Sequence, residues 1–346
     1  MASKIKVLIV DDSELACAFL RQVFEDDGEF EIVGEAHNGR DAIAAVKMYR
    51  PDLITMDLEM PHMHGLDAIE AIMSSCAAPI LVVSAIANAQ NAYAAVARGA
   101  VDIVLKPSMD SGEINQFLAK AKLVSKVHVI PHIRPLTMGF VQSRSSNEVP
   151  TPPFEVGEYS IFAIASSTGG PQALAHILAS IPEDFFCPIV IAQHIVDGFA
   201  PGLAEWLSTV SNLPVRLARD GEVIKPGTVF LAPSESHLTV TPARRFALVE
   251  RREEDIYHPS CDKLLLSVAE VYVSHSVGVI LTGMGRDGVN GMEKIKLMGG
   301  YTIGQDEESS VVFGMNGAAI SCGAVRSVLS VERIASAMID LAGVAH

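Results

Sequence analysis

Residues 5–13 read IKVLIVDDS, an apolar run that ends in two adjacent aspartates followed by a serine. Segments with a helical spacing of apolar residues separate it from four further apolar runs: FEIVGEA (30–36), DLITM (52–56), PILVVS (79–84) and VDIVLK (101–106). Runs this apolar suit strands that are buried on both faces of a parallel sheet. The pattern therefore predicts five βα units that form a doubly wound α/β domain over residues 1–124.

Polar side chains come at the ends of four of these strands, and the carboxyl ends of parallel strands share one edge of a sheet. These residues are Asp11, Asp12, Asp57, Ser84 and Lys106. Clustered carboxylates repel one another unless a hard cation neutralises them, which predicts Mg2+ beside the three aspartates. Asp57 is then placed to accept a phosphoryl group while Lys106 offsets its charge. The alternative is that the acids only cap helices and cover a surface.

The same stretches resemble the receiver domain of two-component response regulators over about residues 4–122. The matching segments are VLIVDDS (7–13), MDLEMPHMHG (56–65), VVSA (82–85) and LKPS (105–108). The resemblance implies a five-stranded, flavodoxin-like sheet with Asp57 as phosphoacceptor, Asp11 and Asp12 as metal ligands, Ser84 as switch hydroxyl and Lys106 as counter-ion. One departure is His64, where the family usually has Asp. His62 and His64 at i, i+2 spacing offer a rival metal pair, but surface loop histidines are commoner.

A proline-containing segment separates this domain from a second α/β pattern. Residues 125–157 contain five prolines and lack a sustained helical or strand period, which predicts an interdomain linker. Its apolar stretches VHVI and MGFV suit a contact with a neighbouring domain. Strands and helices alternate again over 158–346, so we expect a second doubly wound α/β sheet domain there.

The second domain opens with a strand that runs into ASSTGGP (165–171) and then into a helix. This nearly matches the G-x-S-x-G nucleophile elbow, with Ser167 at its centre. Such a turn also suits phosphate binding, which is the main rival chemistry. Two later strands deliver His194 and Asp287 to the same edge. Together the three residues predict a nucleophilic serine, a general base and an orienting carboxylate. The alternative for each residue alone is a packed histidine at a strand end for His194 and a turn residue for Asp287.

This half of the chain resembles the catalytic domain of chemotaxis protein-glutamate methylesterases. The matching segments are ASSTGGP (165–171), AQH (192–194), VFLAPSESHLTV (229–240), SCDKLLLSVAE (260–270), ILTGMGRDG (280–288) and QDEESSVVFGM (305–315). The resemblance implies Ser167 as nucleophile, His194 as general base and acid, Asp287 as orienting group, the Met284 N–H as oxyanion donor and Thr168 as a further site residue. It also implies phosphorylation-activated hydrolysis of glutamate methyl esters on chemoreceptors, and deamidation of receptor glutamines.

Three departures from the family pattern stand near these motifs. Ser166 follows Ala165 where Ala usually follows Gly, so a second hydroxyl precedes the nucleophile. Asn316 replaces a proline, and Leu264–Leu266 replaces an apolar-aromatic-Arg triplet. Cys261 opens an apolar helix and is expected to be packed rather than reactive.

Composition narrows the partners and the compartment. With 26 Lys and Arg against 41 Asp and Glu, the net charge is −15, which disfavours nucleic-acid and anionic-membrane binding. Five scattered cysteines without C-x-x-C, and the absence of a long apolar run, predict a cytoplasmic protein without membrane insertion. We expect chemoreceptor cytoplasmic domains as substrates, a cognate histidine kinase as phosphodonor and recruitment to receptor arrays. We also expect Mg2+ in the receiver and no cofactor for the esterase reaction.

Three other functions compete with this one. A receiver-gated transcription factor needs a compact basic DNA-binding domain, which an acidic α/β pattern does not provide. A receiver-gated adaptor would bind receptors or kinase without catalysis, and an esterase of small molecules would share the triad. Activity on methylated receptors separates these alternatives.

Overall fold

A computed structural model describes residues 3–84, 89–127, 129, 160–252 and 254–343 of the chain. The chain divides into two compact units. Most of the predicted linker, including MGFV and part of VHVI, lies outside the described residues. Within the described ranges, no helix is both long and apolar enough to cross a bilayer.

The first unit is a five-stranded sheet with helices between successive strands. Its strands are β1 (Ile5–Val10), β2 (Phe30–Ala36), β3 (Leu53–Met56), β4 (Ile80–Ser84) and β5 (Asp102–Leu105). Its helices are α1 (Glu14–Asp27), α2 (Gly39–Tyr49), α3 (Gly65–Ser75), α4 (Ala89–Ala97) and α5 (Ser111–Val124). The strand order is β2-β1-β3-β4-β5 and every pairing is parallel. This confirms the doubly wound, flavodoxin-like fold.

Side-chain caps explain where several helices of this unit begin. The Ser13 hydroxyl accepts a hydrogen bond from the Ala16 N–H at the start of α1. Asp110 accepts from two backbone N–H groups at the start of α5. His64 stands at the start of α3 without a side-chain cap. The departure at His64 therefore affects a helix end, where a missing cap costs about 1 kcal/mol.

The second unit contains a seven-stranded parallel sheet and a separate hairpin. The sheet consists of β6 (Ile161–Ser166), β7 (Ile189–Gln193), β8 (Val215–Leu217), β9 (Val229–Leu231), β12 (Ser276–Ile280), β13 (Tyr301–Gln305) and β14 (Ser327–Leu329). The antiparallel hairpin pairs β10 (Ser236–Val240) with β11 (Phe246–Glu250). The helices are α6 (Gly170–Ser180), α7 (Ala200–Val210), α8 (Cys261–Tyr272), α9 (Val289–Leu297), α10 (Met315–Ser321) and α11 (Val331–Ala342), with a short 3-10 helix at Val273–His275.

The strand order β14-β13-β12-β6-β7-β9-β8 reverses between β12 and β6, at the centre of the sheet. From β6 the chain adds β7, β9 and β8 on one side, and from β12 it adds β13 and β14 on the other. Ligands of open α/β sheets bind at the carboxyl ends of strands beside such a reversal. In the first unit the equivalent position lies between β1 and β3.

Candidate active site and acidic pocket

Ser167 follows β6 on a turn that requires glycine at two positions, Gly169 and Gly283. Gly169 has a left-handed φ of 77°, which lets the strand turn sharply into α6. Across the turn, a Cβ on Gly283 would lie 2.6 Å from the Ser167 Cβ. Ser167 is 7% exposed, and its hydroxyl makes no hydrogen bond within the described part of the chain. The turn therefore presents a hydroxyl that is free to react.

The neighbouring Ser166 has a different environment. It is fully buried, and its hydroxyl donates a 2.6 Å hydrogen bond to the Gln193 Oε1. The Gln193 amide donates in turn to the carbonyls of Ser167 and His194, at 2.8 and 2.9 Å. Ser166 thus secures the turn from inside, which supports Ser167 as the reactive hydroxyl.

His194 is positioned by the strand next to β6. Ser166 pairs with Gln193 in the sheet, and the His194 N–H donates to the Ser166 carbonyl at 2.9 Å. The imidazole Nε2 lies 2.8 Å from the Asp287 Oδ2. The Tyr257 ring stacks on the imidazole, with centroids 5.0 Å apart and planes 13° apart. Asp287 at the edge of the ring and Tyr257 over its face therefore fix the orientation of the imidazole.

Asp287 lies in the loop after β12 and accepts four hydrogen bonds. Besides His194, the donors are the backbone N–H groups of Cys261 and Asp262 and the hydroxyl of Ser260, at 2.6, 2.9 and 3.1 Å. These donors form the N-terminus of α8, which favours a negative charge. Burial alone would raise the pKa of the Asp287 carboxyl, but the contacts with His194 and these backbone groups outweigh it and lower the pKa. The carboxylate therefore stays ionised.

The turn after β12 also offers a candidate oxyanion donor. The Met284 N–H has no hydrogen-bond partner among the residues that the structure describes. The adjacent Gly285 has a φ of 88°, and a Cβ there would collide with the Tyr257 hydroxyl. Thr168 is buried, and its carbonyl accepts from the Thr282 hydroxyl at 2.9 Å. Thr168 therefore links the elbow to the strand that leads to Met284.

Two site contacts were not predicted from the sequence. Tyr257 gave no periodic or motif signal. His237 is fully buried, and its Nδ1 accepts the Ser260 N–H at 2.9 Å while its Nε2 lies 2.8 Å from the Asp255 Oδ2. Lys263 also binds the Asp255 carboxylate, at 2.9 Å. His237 thus stabilises the helix end that holds Asp287.

The departures from the family pattern have packing roles. The buried Asn316 amide donates to the Gln305 carbonyl at 2.9 Å and to the Ser310 hydroxyl at 2.8 Å. Leu265 is fully buried against Gly291, where α8 meets α9. Cys261 is fully buried at the first turn of α8, and burial raises the pKa of its thiol well above the ordinary value. A protonated, buried thiol agrees with the prediction of a packed cysteine.

The acidic pocket of the first unit lies at the carboxyl ends of β1, β3 and β5. Lys106 Nζ is 2.7 Å from the Asp11 Oδ2 and 3.0 Å from the Asp57 Oδ2. One oxygen each from Asp11, Asp12 and Asp57 lie within 4.8 Å of one another, a spacing that fits a hard divalent cation. Ser84 is fully buried, and its carbonyl accepts the Lys106 N–H at 3.0 Å. The structure thus brings the five predicted residues to one edge.

The pKa values of the Asp57 carboxyl and the Lys106 ammonium group are both raised in this pocket. Burial raises the pKa of the Asp57 carboxyl, although Lys106 opposes the shift. Burial would lower the pKa of Lys106, but hydrogen bonds to Asp11 and Asp57 raise it instead.

A Cβ on Gly65 would collide with the Asp57 carbonyl, so the glycine after His64 is required by close packing. Neither His62 nor His64 belongs to the group that Asp11, Asp12 and Asp57 form.

Comparisons with known proteins agree for both units. The family model for the CheB methylesterase matches residues 162–338, and the model for the response regulator receiver domain matches residues 7–119. A protein-glutamate methylesterase/protein-glutamine glutaminase of Paramagnetospirillum magneticum is 53% identical, over 98% of this chain and 97% of the relative. A protein of the same description from Pyrococcus horikoshii is 37% identical, over 96% of this chain and 92% of the relative.

A solved structure agrees with the second unit. The CheB methylesterase catalytic domain of Thermotoga maritima is 40% identical, with a TM-score of 0.52, and the match covers 53% of this chain and 98% of that domain. Both resemblances found in the sequence, and the α/β fold expected for each half, are thereby confirmed.

Proposed function

Because this chain belongs to the family of receiver-linked CheB methylesterases, we propose that Ser167, His194 and Asp287 carry its hydrolysis of glutamate methyl esters on chemoreceptors. The chain is a phosphorylation-activated protein-glutamate methylesterase and protein-glutamine glutaminase. One observation above all supports the residue assignment. A free hydroxyl on a glycine-rich elbow and a histidine whose Nε2 is 2.8 Å from a buried carboxylate follow two adjacent strands, beside the point where the strand order of the sheet reverses.

The acylation step uses these groups in order. The Ser167 Oγ attacks the ester carbonyl while the unprotonated nitrogen of His194 accepts the hydroxyl proton. Asp287 binds the Nε2–H, so the nitrogen that takes the proton is Nδ1. The Met284 N–H donates to the oxyanion of the tetrahedral intermediate. The C–O bond to the methoxy group then breaks, and the imidazolium returns its proton so that methanol leaves.

Deacylation repeats these steps with water as the nucleophile. His194 takes a proton from water while the water oxygen adds to the acyl carbon. The bond from that carbon to the Ser167 oxygen then breaks, and the imidazolium returns its proton to Ser167. The products are glutamate and the free hydroxyl. With glutamine as substrate the first leaving group is ammonia in place of methanol, and the residues keep the same roles.

The receiver carries a divalent-cation site, which we assign to Mg2+ held by Asp11, Asp12 and Asp57. When bound, the ion neutralises the negative charge of the carboxylates and of an incoming phosphoryl group. An Asp57 oxygen attacks the phosphorus of a phosphohistidine, and the bond from phosphorus to the imidazole nitrogen breaks. Lys106, 3.0 Å from the Asp57 Oδ2, remains as a counter-ion. Ser84 is the hydroxyl that follows the phosphoryl group.

The receptor substrate and kinase phosphodonor follow from the two domains. We assign the substrate to the cytoplasmic domains of methylated chemoreceptors and the donor to a cognate histidine kinase. The enzyme then works in the cytoplasm at receptor arrays. Activation follows from the charge of about −1.5 to −2 that phosphorylation adds to the acidic pocket.

Release of methanol from membranes carrying methylated receptors tests this function. The wild-type chain should release methanol faster when a small-molecule phosphodonor and Mg2+ are added. Asp57→Asn should give the same rate with and without the donor, because it lacks the acceptor oxygen. A chain that binds these membranes but releases no methanol in either condition would instead be the adaptor.

A further inference from the structure

A thiol lies beside the catalytic pair and has no role in the reaction described above. The Cys261 Sγ is 3.5 Å from the His194 Nε2 and 3.3 Å from the Ala192 carbonyl oxygen. One ligand atom each from His194, Cys261 and Asp287 lie within 4.8 Å of one another. Imidazole nitrogen, thiolate sulfur and carboxylate oxygen are the donors that Zn2+ takes in proteins.

The spacing of these atoms suits a tetrahedral ion. A Zn2+ with bonds of about 2.0 Å to nitrogen and about 2.3 Å to sulfur holds those two atoms about 3.5 Å apart. The observed separation between His194 Nε2 and Cys261 Sγ is 3.5 Å. The nitrogen and the Asp287 Oδ2, now 2.8 Å apart, would separate by about 0.5 Å to reach tetrahedral spacing.

We propose that His194, Cys261 and Asp287 form an inhibitory site for a thiophilic divalent cation, with Zn2+ as the representative ion. The inhibition rests on the proposed function, but the binding does not. On binding, the ion forms bonds to Nε2, Sγ and Oδ2. The thiol proton leaves to solvent, and the imidazole gives up its Nε2 proton and takes one up at Nδ1, so the ring stays neutral. A dication with one thiolate and one carboxylate leaves the buried site without net charge, which limits its desolvation cost.

The ion removes the general base. An imidazole bound to a cation through Nε2 carries its remaining proton on Nδ1, so neither nitrogen can accept the proton of Ser167. The ion also replaces the hydrogen bond between His194 and Asp287. Inhibition therefore needs no conformational change beyond a small shift of one side chain.

Helix α8 positions two of the three ligands. The carboxylate is held by the N-terminus of α8, and that helix also supplies the Cys261 thiol from its first residue. The thiol and the carboxylate are therefore fixed relative to each other before an ion arrives. Such preorganisation raises affinity because little ordering is needed on binding.

Inhibition of methanol release by buffered free Zn2+ tests the site in the full chain with excess Mg2+. The comparison is between wild type, Cys261→Val, Cys261→Ala and Cys322→Ser, with each curve scaled to that variant's rate without Zn2+. Cys322 is an exposed cysteine and serves as the control. Loss of Cys261 should raise the half-inhibiting concentration at least about tenfold, since even indirect partners of a metal ligand are worth 10–100-fold. Cys322→Ser should match wild type, and a Zn2+-selective chelator should restore the rate.

Absorption of bound Co2+ gives a readout that is independent of turnover. Wild type and the inactive Ser167→Ala should both show the charge-transfer band of a thiolate–Co2+ bond, and both Cys261 variants should lack it. Equal Zn2+ inhibition with and without Cys261, or a band that persists in its absence, would overturn the site. A wild-type chain with the band but without methanol release in a Zn2+-free buffer that contains Mg2+ and phosphodonor would support the site and contradict the proposed function.

Discussion

Two adjacent hydroxyls show how burial separates a structural residue from a reactive one. Ser166 is fully buried and hydrogen-bonded to Gln193, whereas the Ser167 hydroxyl makes no hydrogen bond among the described residues. The elbow motif alone placed Ser167 at the centre of the turn, and the packing gives a physical reason for that register.

Ser166→Ala should lower stability while retaining most of the activity. The variant leaves the buried Gln193 Oε1 without its 2.6 Å donor, and an unsatisfied buried acceptor costs about 1–3 kcal/mol. Denaturant unfolding of wild type and variant measures the loss. Ser180→Ala, at the exposed end of α6, is the matched control and should change the free energy of unfolding little. Equal stability of Ser166→Ala and wild type would mean that this hydrogen bond does not secure the turn.

Asp287 should make stability depend on pH in a defined direction. Its pKa is lowered in the folded chain, because the hydrogen bond from His194 and the backbone N–H groups outweigh burial. The carboxylate therefore stabilises the fold at pH values above the ordinary Asp pKa of about 3.9, and this contribution is lost as pH falls through the lower folded pKa.

The corresponding test compares wild type with Asp287→Asn over pH. The difference in free energy of unfolding should be largest near neutral pH and should shrink in strong acid. The variant should also lose activity, because its amide does not provide the charge that stabilises the imidazolium. A stability difference that grew towards low pH would contradict the assigned charge state.

At the scale of elements, sequence patterns predicted the strands that lead to Ser167, His194 and Asp287 and missed several others. The strands β6, β7 and β12, of five or six residues each, carry clear apolar runs and were expected. The strands β8 and β14 have three residues each, too few for a period to appear. The hairpin β10–β11 lies outside the main sheet and was also missed.

The contacts around the start of α8 could not be predicted because they join residues from separate elements. His237, Ser260 and Asp287 are far apart in sequence and meet only because the hairpin and the loop after β12 both reach the start of α8. Side-chain alternation or spacing within one element carries no information about such contacts. The candidate triad could be placed at one edge of the sheet because Ser167 and His194 directly follow β6 and β7 and Asp287 lies in the loop after β12.

His237 provides the test at this scale. His237→Leu should lower the free energy of unfolding by about 1–3 kcal/mol, because it removes the acceptor of the partly buried Ser260 N–H. It should also reduce activity, since that helix end binds Asp287. His237→Asn places an amide oxygen near the position of Nδ1 and should retain more of both properties. Similar unfolding free energies and rates for all three proteins would show that α8 is held without His237.

For the whole molecule, the central question is how the receiver affects the esterase. Both halves were recognised from motifs, and the family comparisons confirm them. The linker and the domain limits of 1–124, 125–157 and 158–346 stay predictions, because most of the linker lies outside the described residues.

If the unphosphorylated receiver restrains the esterase, a fragment beginning at residue 150 should hydrolyse receptor methyl ester faster than the unphosphorylated full chain. Addition of a phosphodonor should bring the full chain towards the fragment's rate and leave the fragment unchanged. Circular dichroism of the fragment provides the control for folding. A folded fragment that is no faster than the unphosphorylated chain would make the receiver an activator or docking domain.

The assignment of Ser167 as nucleophile is tested most directly by methanol release from methylated receptor membranes, measured for Ser167→Ala beside Ser166→Ala under phosphodonor. Removal of a triad member costs on the order of 10⁴-fold or more in rate, so Ser167→Ala should be almost inactive while its circular dichroism matches wild type. Ser166→Ala should retain most of its rate. An active Ser167→Ala with an inactive Ser166→Ala would move the nucleophile by one residue, and full activity in both variants would contradict a serine mechanism.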